Sequence, residues 1–131
     1  MSMFPESRAA LFDLIDGSEH AGRTVAAFYH LTVDFKDVLP AALIFTQRGS
    51  ENYLDRTDWV VVQVFAAPGE AIPVLESIRA SLVDRSHETA AGYIDDVQVE
   101  QTPQDVPYVD TEVMQATATF RVISRPVATW A

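Results

Sequence analysis

The stretch Asp58-Trp59-Val60-Val61-Val62-Gln63-Val64-Phe65-Ala66 decides how the rest of this sequence is read. It is the densest run of β-branched and aromatic residues in the chain, and Pro68-Gly69 closes it with a turn signal. Side chains alternate along a strand. Val60, Val62, Val64 and Ala66 therefore share one face, and Trp59, Val61, Gln63 and Phe65 the other. Neither face is polar enough to be left to water, so the stretch is read as a central strand that needs cover on both sides.

Working outward, Ala42 to Gln47 reads as a buried strand, followed by the turn cluster Arg48-Gly49-Ser50-Glu51-Asn52 and a loop running to Arg56. The two strands then form an antiparallel hairpin with a long tip. On the other side, a helix is predicted from about 70 to 83. Ile72, Leu75, Ile78 and Leu82 fall on one stripe, and Pro73 is tolerated only because it lies in the first turn. That stripe is the expected cover for the Val60/Val62/Val64 face. A first amphipathic helix is predicted at about 5–16, with Phe12 and Ile15 toward the sheet and Asp16-Gly17-Ser18 ending it. Thr24 to Thr32 is read as a strand on its aromatic and β-branched content.

Toward the C-terminus, residues 92–100 read as a half-exposed strand with Val97 and Val99 inward and a bulge near Asp95-Asp96. Thr102 to Asp110 carries Pro103 and Pro107 and is predicted irregular. Thr111 to about Ile123 alternates cleanly, with Met114, Ala116, Ala118, Phe120 and Val122 on one face. A short tail begins at about 126 and holds Trp130. The expected fold is α+β: one domain, an antiparallel sheet of four to five strands, and two helices packed on one face.

Composition narrows the function. The chain has 131 residues, 48% of them apolar and 21% charged, as a globular protein does. It has no cysteine, which excludes disulfides and thiolate metal sites. No apolar run approaches the ~20 residues that span a bilayer. No apolar segment follows a basic N-terminus, so a secretory leader is not expected and synthesis in the cytoplasm is. The formal charge of −10 argues against a surface that grips nucleic acid. Residues 84–112 hold eight acidic side chains against Arg85 alone, so −7 of the −10 lies there. That region is either a solvated face or one that repels polyanions or meets a basic partner.

Signals for catalysis are weak. There is no G-x-S-x-G, no G-x-G-x-x-G and no P-loop. His87-Glu88 opens like a zinc-binding H-E-x-x-H, but residue 91 is alanine. His20, His30 and His87 lack ligand-like spacing and are read as surface or loop histidines. Asp95 and Asp96 point to opposite faces of a strand, a poor arrangement for acid–base work. Asp34/Asp37 and Asp55/Asp58 are conceivable metal pairs but read as solvated acidic loops. No enzymatic activity, cofactor or metal is expected. Surplus apolar surface is the stronger signal. The Trp59/Val61/Phe65 face is covered within the chain, by the sheet curling on itself or by residues 18–40, or else subunits pack there or sheet edges pair between chains, since a monomer seldom leaves such a patch in water.

Several stretches resemble the small tail terminator (tail-completion) proteins of long-tailed bacteriophages, particularly those of actinobacterial hosts. They are Leu39-Pro40 before an apolar strand, Asp55-Arg56-Thr57-Asp58-Trp59-Val60-Val61-Val62-Gln63-Val64, and Val113-Met114-Gln115-Ala116 through Phe120-Arg121-Val122. The likeness runs from about residue 4 to 126 and carries no catalytic signature. Neck and head-completion proteins share a similar architecture and are the neighbouring alternative. The resemblance implies an α+β subunit of a virion ring, usually a hexamer. Such a ring caps the tail tube protein and offers the surface on which the head-tail connector docks, with DNA passing through the lumen. An acidic lumen lets DNA slide, without sequence-specific binding. Candidate contact residues are Arg48, Asn52, Tyr53 and Arg56 in the hairpin loop, Tyr108 in the Pro103–Tyr108 loop, Trp59, Val61 and Phe65 on the second strand face, and Trp130 in the tail. The competing class is a small-ligand binding protein or enzyme with a pocket lined by Tyr29, His30 or Tyr93.

Overall fold

The computed structural model describes residues 2–52, 54–107, 111–126 and 128–129, with the end pairs 2–3 and 128–129 described by backbone alone. Two helices, α1 (Ser7–Ile15) and α2 (Ala71–Leu82), pack on one face of a five-stranded sheet. The strands are β1 (Ala26–Phe28), β2 (Ala41–Glu51), β3 (Arg56–Ala66), β4 (Asp96–Val106) and β5 (Met114–Ser124). Their order is β1-β2-β3-β5-β4, parallel at β1–β2 and antiparallel elsewhere. Two-stranded ribbons at Glu19–His20/Arg23–Thr24, His87–Thr89/Gly92–Ile94 and Ser2–Met3/Ala128–Thr129 complete the described elements. The fold is α+β, as the sequence predicts.

The quoted stretch is the centre of this sheet. β3 pairs with β2 on one side and β5 on the other over nearly its whole length. Val60, Val62, Val64 and Ala66 are all 0% exposed, facing Leu75, Ile78 and Leu82 of α2 and Leu11 and Ile15 of α1 in one apolar cluster. Ala116, Ala118, Phe120 and Val122 of β5 complete it, which is the alternation expected for that strand. Each large side chain buried this way contributes about 1.5–3 kcal/mol. Within α2 the buried stripe is Ala71, Val74, Leu75, Ile78 and Leu82. Ile72 lies at its margin, partly buried against the same cluster.

Five expectations are corrected. The turn predicted at Arg48–Asn52 is mostly strand: β2 runs to Glu51, and β3 begins at Arg56. Gly49 explains this, since a Cβ there would run into the Asp58 carboxylate opposite it, so the glycine permits close pairing rather than a bend. Residues 102–106, predicted irregular because of Pro103, continue β4. Pro103 sits on an edge strand at a shift in register against β5, where a missing N–H is tolerated. The sheet is mixed rather than wholly antiparallel, because residues 29–40 cross over and return the chain parallel to β1. Only Ala26–Phe28 of the strand expected at 24–32 forms. In place of one strand over 92–100 with a bulge near Asp95-Asp96, the chain breaks at Asp95 into two strand segments, and Asp95 donates its N–H to Ile123 O between them.

Candidate interaction surface

The face of the sheet opposite the helices is built in columns across β2, β3 and β5. Phe65 stands between Ala41 and Gln115, Gln63 between Leu43 and Thr117, Val61 between Phe45 and Thr119, and Trp59 between Arg48 and Arg121. The chain covers one end of this face itself. The crossover carries a short 3-10 turn, Phe35–Val38, whose Phe35 ring meets Phe65 edge-on at 5.4 Å and 71°. Phe65 is 3% exposed as a result, and Val61 is 6% exposed between its neighbours. Of the alternatives left open for this face, cover by residues 18–40 holds at the Phe65 end. Residues 28–39 close that end.

Trp59 differs. It is half-buried, with the Arg48 guanidinium over its ring at 4.3 Å, a cation–π contact. Its Nε1 is buried and has no hydrogen-bond partner among the described residues, and neither has Nε of Arg121 beside it. A buried N–H without an acceptor costs about 1–3 kcal/mol. Phe45, one step along the face, is 36% exposed, and Leu54 at the hairpin tip is 62% exposed. The open part of the face is thus the Phe45–Arg48–Trp59–Arg121 end, continuous with a projecting hairpin.

The base of the hairpin is fixed by a buried carboxylate that sequence reasoning treats as a solvated loop acid. Asp58 is 2% exposed and accepts a 2.6 Å hydrogen bond from Ser7 Oγ at the start of α1 and a 3.1 Å bond from Arg56 Nε. Placing a negative group at a helix N-terminus is favourable. The signal was visible in part: a lone serine opening a helix and a glycine opposite an aspartate both fit a clamp. Their meeting depends on residues 51 apart.

The structure places the remaining candidates as follows. Asn52 Oδ1 accepts from the N–H groups of Leu54 (2.7 Å) and Asp55 (3.0 Å), so its side chain builds the turn. Arg56 serves Asp58 and lies 3.7 Å from Glu51. Arg48 and Trp59 are brought together, with Val61 in the next column. Tyr53, Tyr108 and Trp130 lie outside the described residues. Asp105, Val106 and Pro107 border an apolar cleft of about 520 Å³ formed with Pro68, Val113 and Met114.

Tyr29 stacks on Phe12 at 4.6 Å beneath the Arg8 guanidinium, and His30 is exposed. Tyr93 lines a separate cleft of about 330 Å³ with Asp95 and Arg125, which are ion-paired at 2.8 Å. Asp96 instead bonds Gln98 at 2.8 Å, so the two adjacent carboxylates serve different partners. Among the described residues, no group of three or more His, Asp or Glu is placed to hold a metal ion. No described helix is long and apolar enough to cross a membrane.

His20, expected at the surface, is 6% exposed and bridges the Glu19–Thr24 ribbon to α2. Its Nε2 is 2.8 Å from Ser18 Oγ and its Nδ1 3.0 Å from Ser77 Oγ. The Ser18 hydroxyl proton is given to Ile15 O, so Nε2 carries the ring proton and Nδ1 accepts from Ser77. Burial pushes the imidazole below its ordinary pKa, only partly countered by the Ser77 backbone, which favours the protonated ring.

No protein-family model matches the chain, and no curated protein aligns with it significantly.

Proposed function

We propose that this chain is a structural subunit of a long-tailed phage virion, a tail terminator that forms a ring, caps the tail tube and joins it to the head connector. The observation that carries the proposal is the open end of the helix-free sheet face. There Trp59 lies half-buried beneath Arg48, its ring N–H without a partner among the described residues, next to exposed Phe45 and a hairpin carrying exposed Leu54. Aromatic and arginine side chains on a rigid scaffold are the groups that dominate protein interfaces. The sequence resemblance from about residue 4 to 126 supplies the kind of assembly. The net charge of −10 suits a lumen through which DNA slides without sticking.

Native mass spectrometry and electron microscopy of the purified protein, alone and mixed with tail tubes, test this reading. Rings that seat on tube ends are expected. Failure both to form rings and to bind tube ends refutes it, and binding to connector complexes but not tubes moves the protein to the neck. Trp59→Ala is expected to leave the fold intact while weakening assembly at least tenfold, as loss of a central interface tryptophan commonly does.

A further inference from the structure

Both outer edges of the sheet expose strand rims of the same length. On one side, β1 covers only Ala41–Leu43 of β2, so the rim of residues 44–51 has no neighbouring strand among the described residues. On the other, the Asp84 N–H closes the start of β4 by donating to Val97 O at 2.9 Å, which leaves residues 99–106 as the open rim. Such rims present unpaired backbone N–H and C=O groups that readily accept another strand.

The topology fixes how copies could use them. β2 and β5 run one way, β3 and β4 the other. A second copy in the same orientation therefore brings its β4 antiparallel to β2, continuing the alternation of the sheet. Repeating one such head-to-tail contact closes a ring when the rotation permits. It also keeps the helices of every copy on one side of the continuous sheet.

Charge distinguishes this seam from its symmetric competitors. The β4 rim carries Glu100 and Asp105 and no basic residue, so a β4–β4 contact sets acid against acid. The β2 rim presents exposed Arg48, while its Glu51 lies 3.7 Å from Arg56 of the same copy. A β2–β2 contact leaves the β4 rim uncovered. Pro103 removes one donor from the β4 rim and guards it against indiscriminate pairing, and β2 has its own shift in register at Gln47, so each strand carries one interruption.

We infer that the sheet of one copy continues into the next, with residues 44–51 of β2 pairing antiparallel with residues 99–106 of a second copy's β4 and Arg48 coming beside Glu100, which lies on the same helix-free side near Arg121. This deepens the ring reading and rests on its premise that copies of the chain associate.

The absence of cysteine makes the test direct. Thr46→Cys is mixed with Thr102→Cys, Pro103→Cys or Gln104→Cys, each in the full chain, and oxidised. A disulfide-linked dimer is expected only in the mixtures, and a closed ladder of covalent oligomers when both cysteines share one chain. Cross-linking of a β4 single variant with itself, or of Thr46→Cys with itself, overturns the head-to-tail seam in favour of a symmetric one. Rings seen by native mass spectrometry without any of these cross-links overturn the seam and leave the ring reading standing. No oligomer at any concentration overturns both. As a second measurement, Arg48→Glu and Glu100→Arg are each expected to reduce assembly about tenfold, and mixing or combining them to restore it. Absence of that rescue, with both variants folded, counts against the seam.

Discussion

Asp58 is where the fold and the candidate surface depend on one another most directly, and Asp58→Ala is the sharpest test of that dependence. The substitution leaves the Ser7 hydroxyl, 2% exposed, without its acceptor. A buried unsatisfied polar group costs about 1–3 kcal/mol. It also removes the partner of Arg56, whose side chain is 38% exposed, so that loss is discounted for solvent to about 1 kcal/mol or less. The expected total is about 1–4 kcal/mol. Scaling the usual per-residue unfolding entropy to this chain, each kcal/mol lowers Tm by roughly 3–4 °C. Urea unfolding should show the midpoint falling with an unchanged m-value. Ser7→Ala removes the other half of the contact, and the double variant should recover about 1 kcal/mol or more relative to the sum of the single losses. A loss below about 0.5 kcal/mol for Asp58→Ala, or strictly additive losses in the cycle, refutes the clamp. Because Trp59 follows Asp58 directly, the same variant should weaken ring assembly at temperatures where it is still folded.

Leu75→Ala, at a fully buried position of α2 against β3, is expected to cost about 2–5 kcal/mol in chemical denaturation, and a loss under 1 kcal/mol speaks against this packing. Gly49→Ala should be destabilising by more than the usual strand preference for alanine would suggest. Its Cβ meets the Asp58 carboxylate, and the Gly49→Ala/Asp58→Ala double variant should relieve the clash; no relief rejects that cause. For His20, the folded pKa lies below the unfolded value of about 6.5, so the neutral ring stabilises the fold fully above that pH. Stability is lost as pH falls from about 6.5 toward the folded value, because the unfolded chain takes up the proton first. His20→Gln should remove that part of the pH dependence, and identical stability profiles for the two proteins would sink the assignment.

The central strand, both helices and the clean alternation of β5 were legible because each obeys a local period: two along a strand, 3.6 along a helix. The Val60/Val62/Val64 face and its cover by Leu75, Ile78 and Leu82 followed from those periods alone. The strand limits at Glu51 and Val106 did not. Glycine and proline usually signal turns, and here Gly49 makes room for a carboxylate across the ladder while Pro103 sits on an edge at a register shift. Local chemistry pointed to turns, and pairing partners overrode it.

The amino-acid sequence by itself determined that this chain folds as α+β around a strand apolar on both sides, since hydrophobic periodicity is written residue by residue. Only the tertiary structure decided which part of the second face stays open. Phe35 reaches Phe65 across a crossover, Arg48 reaches Trp59 across a ladder, and Ser7 reaches Asp58 across most of the hairpin and helix layer. Those meetings depend on where the chain returns in space, and no local pattern encodes the return.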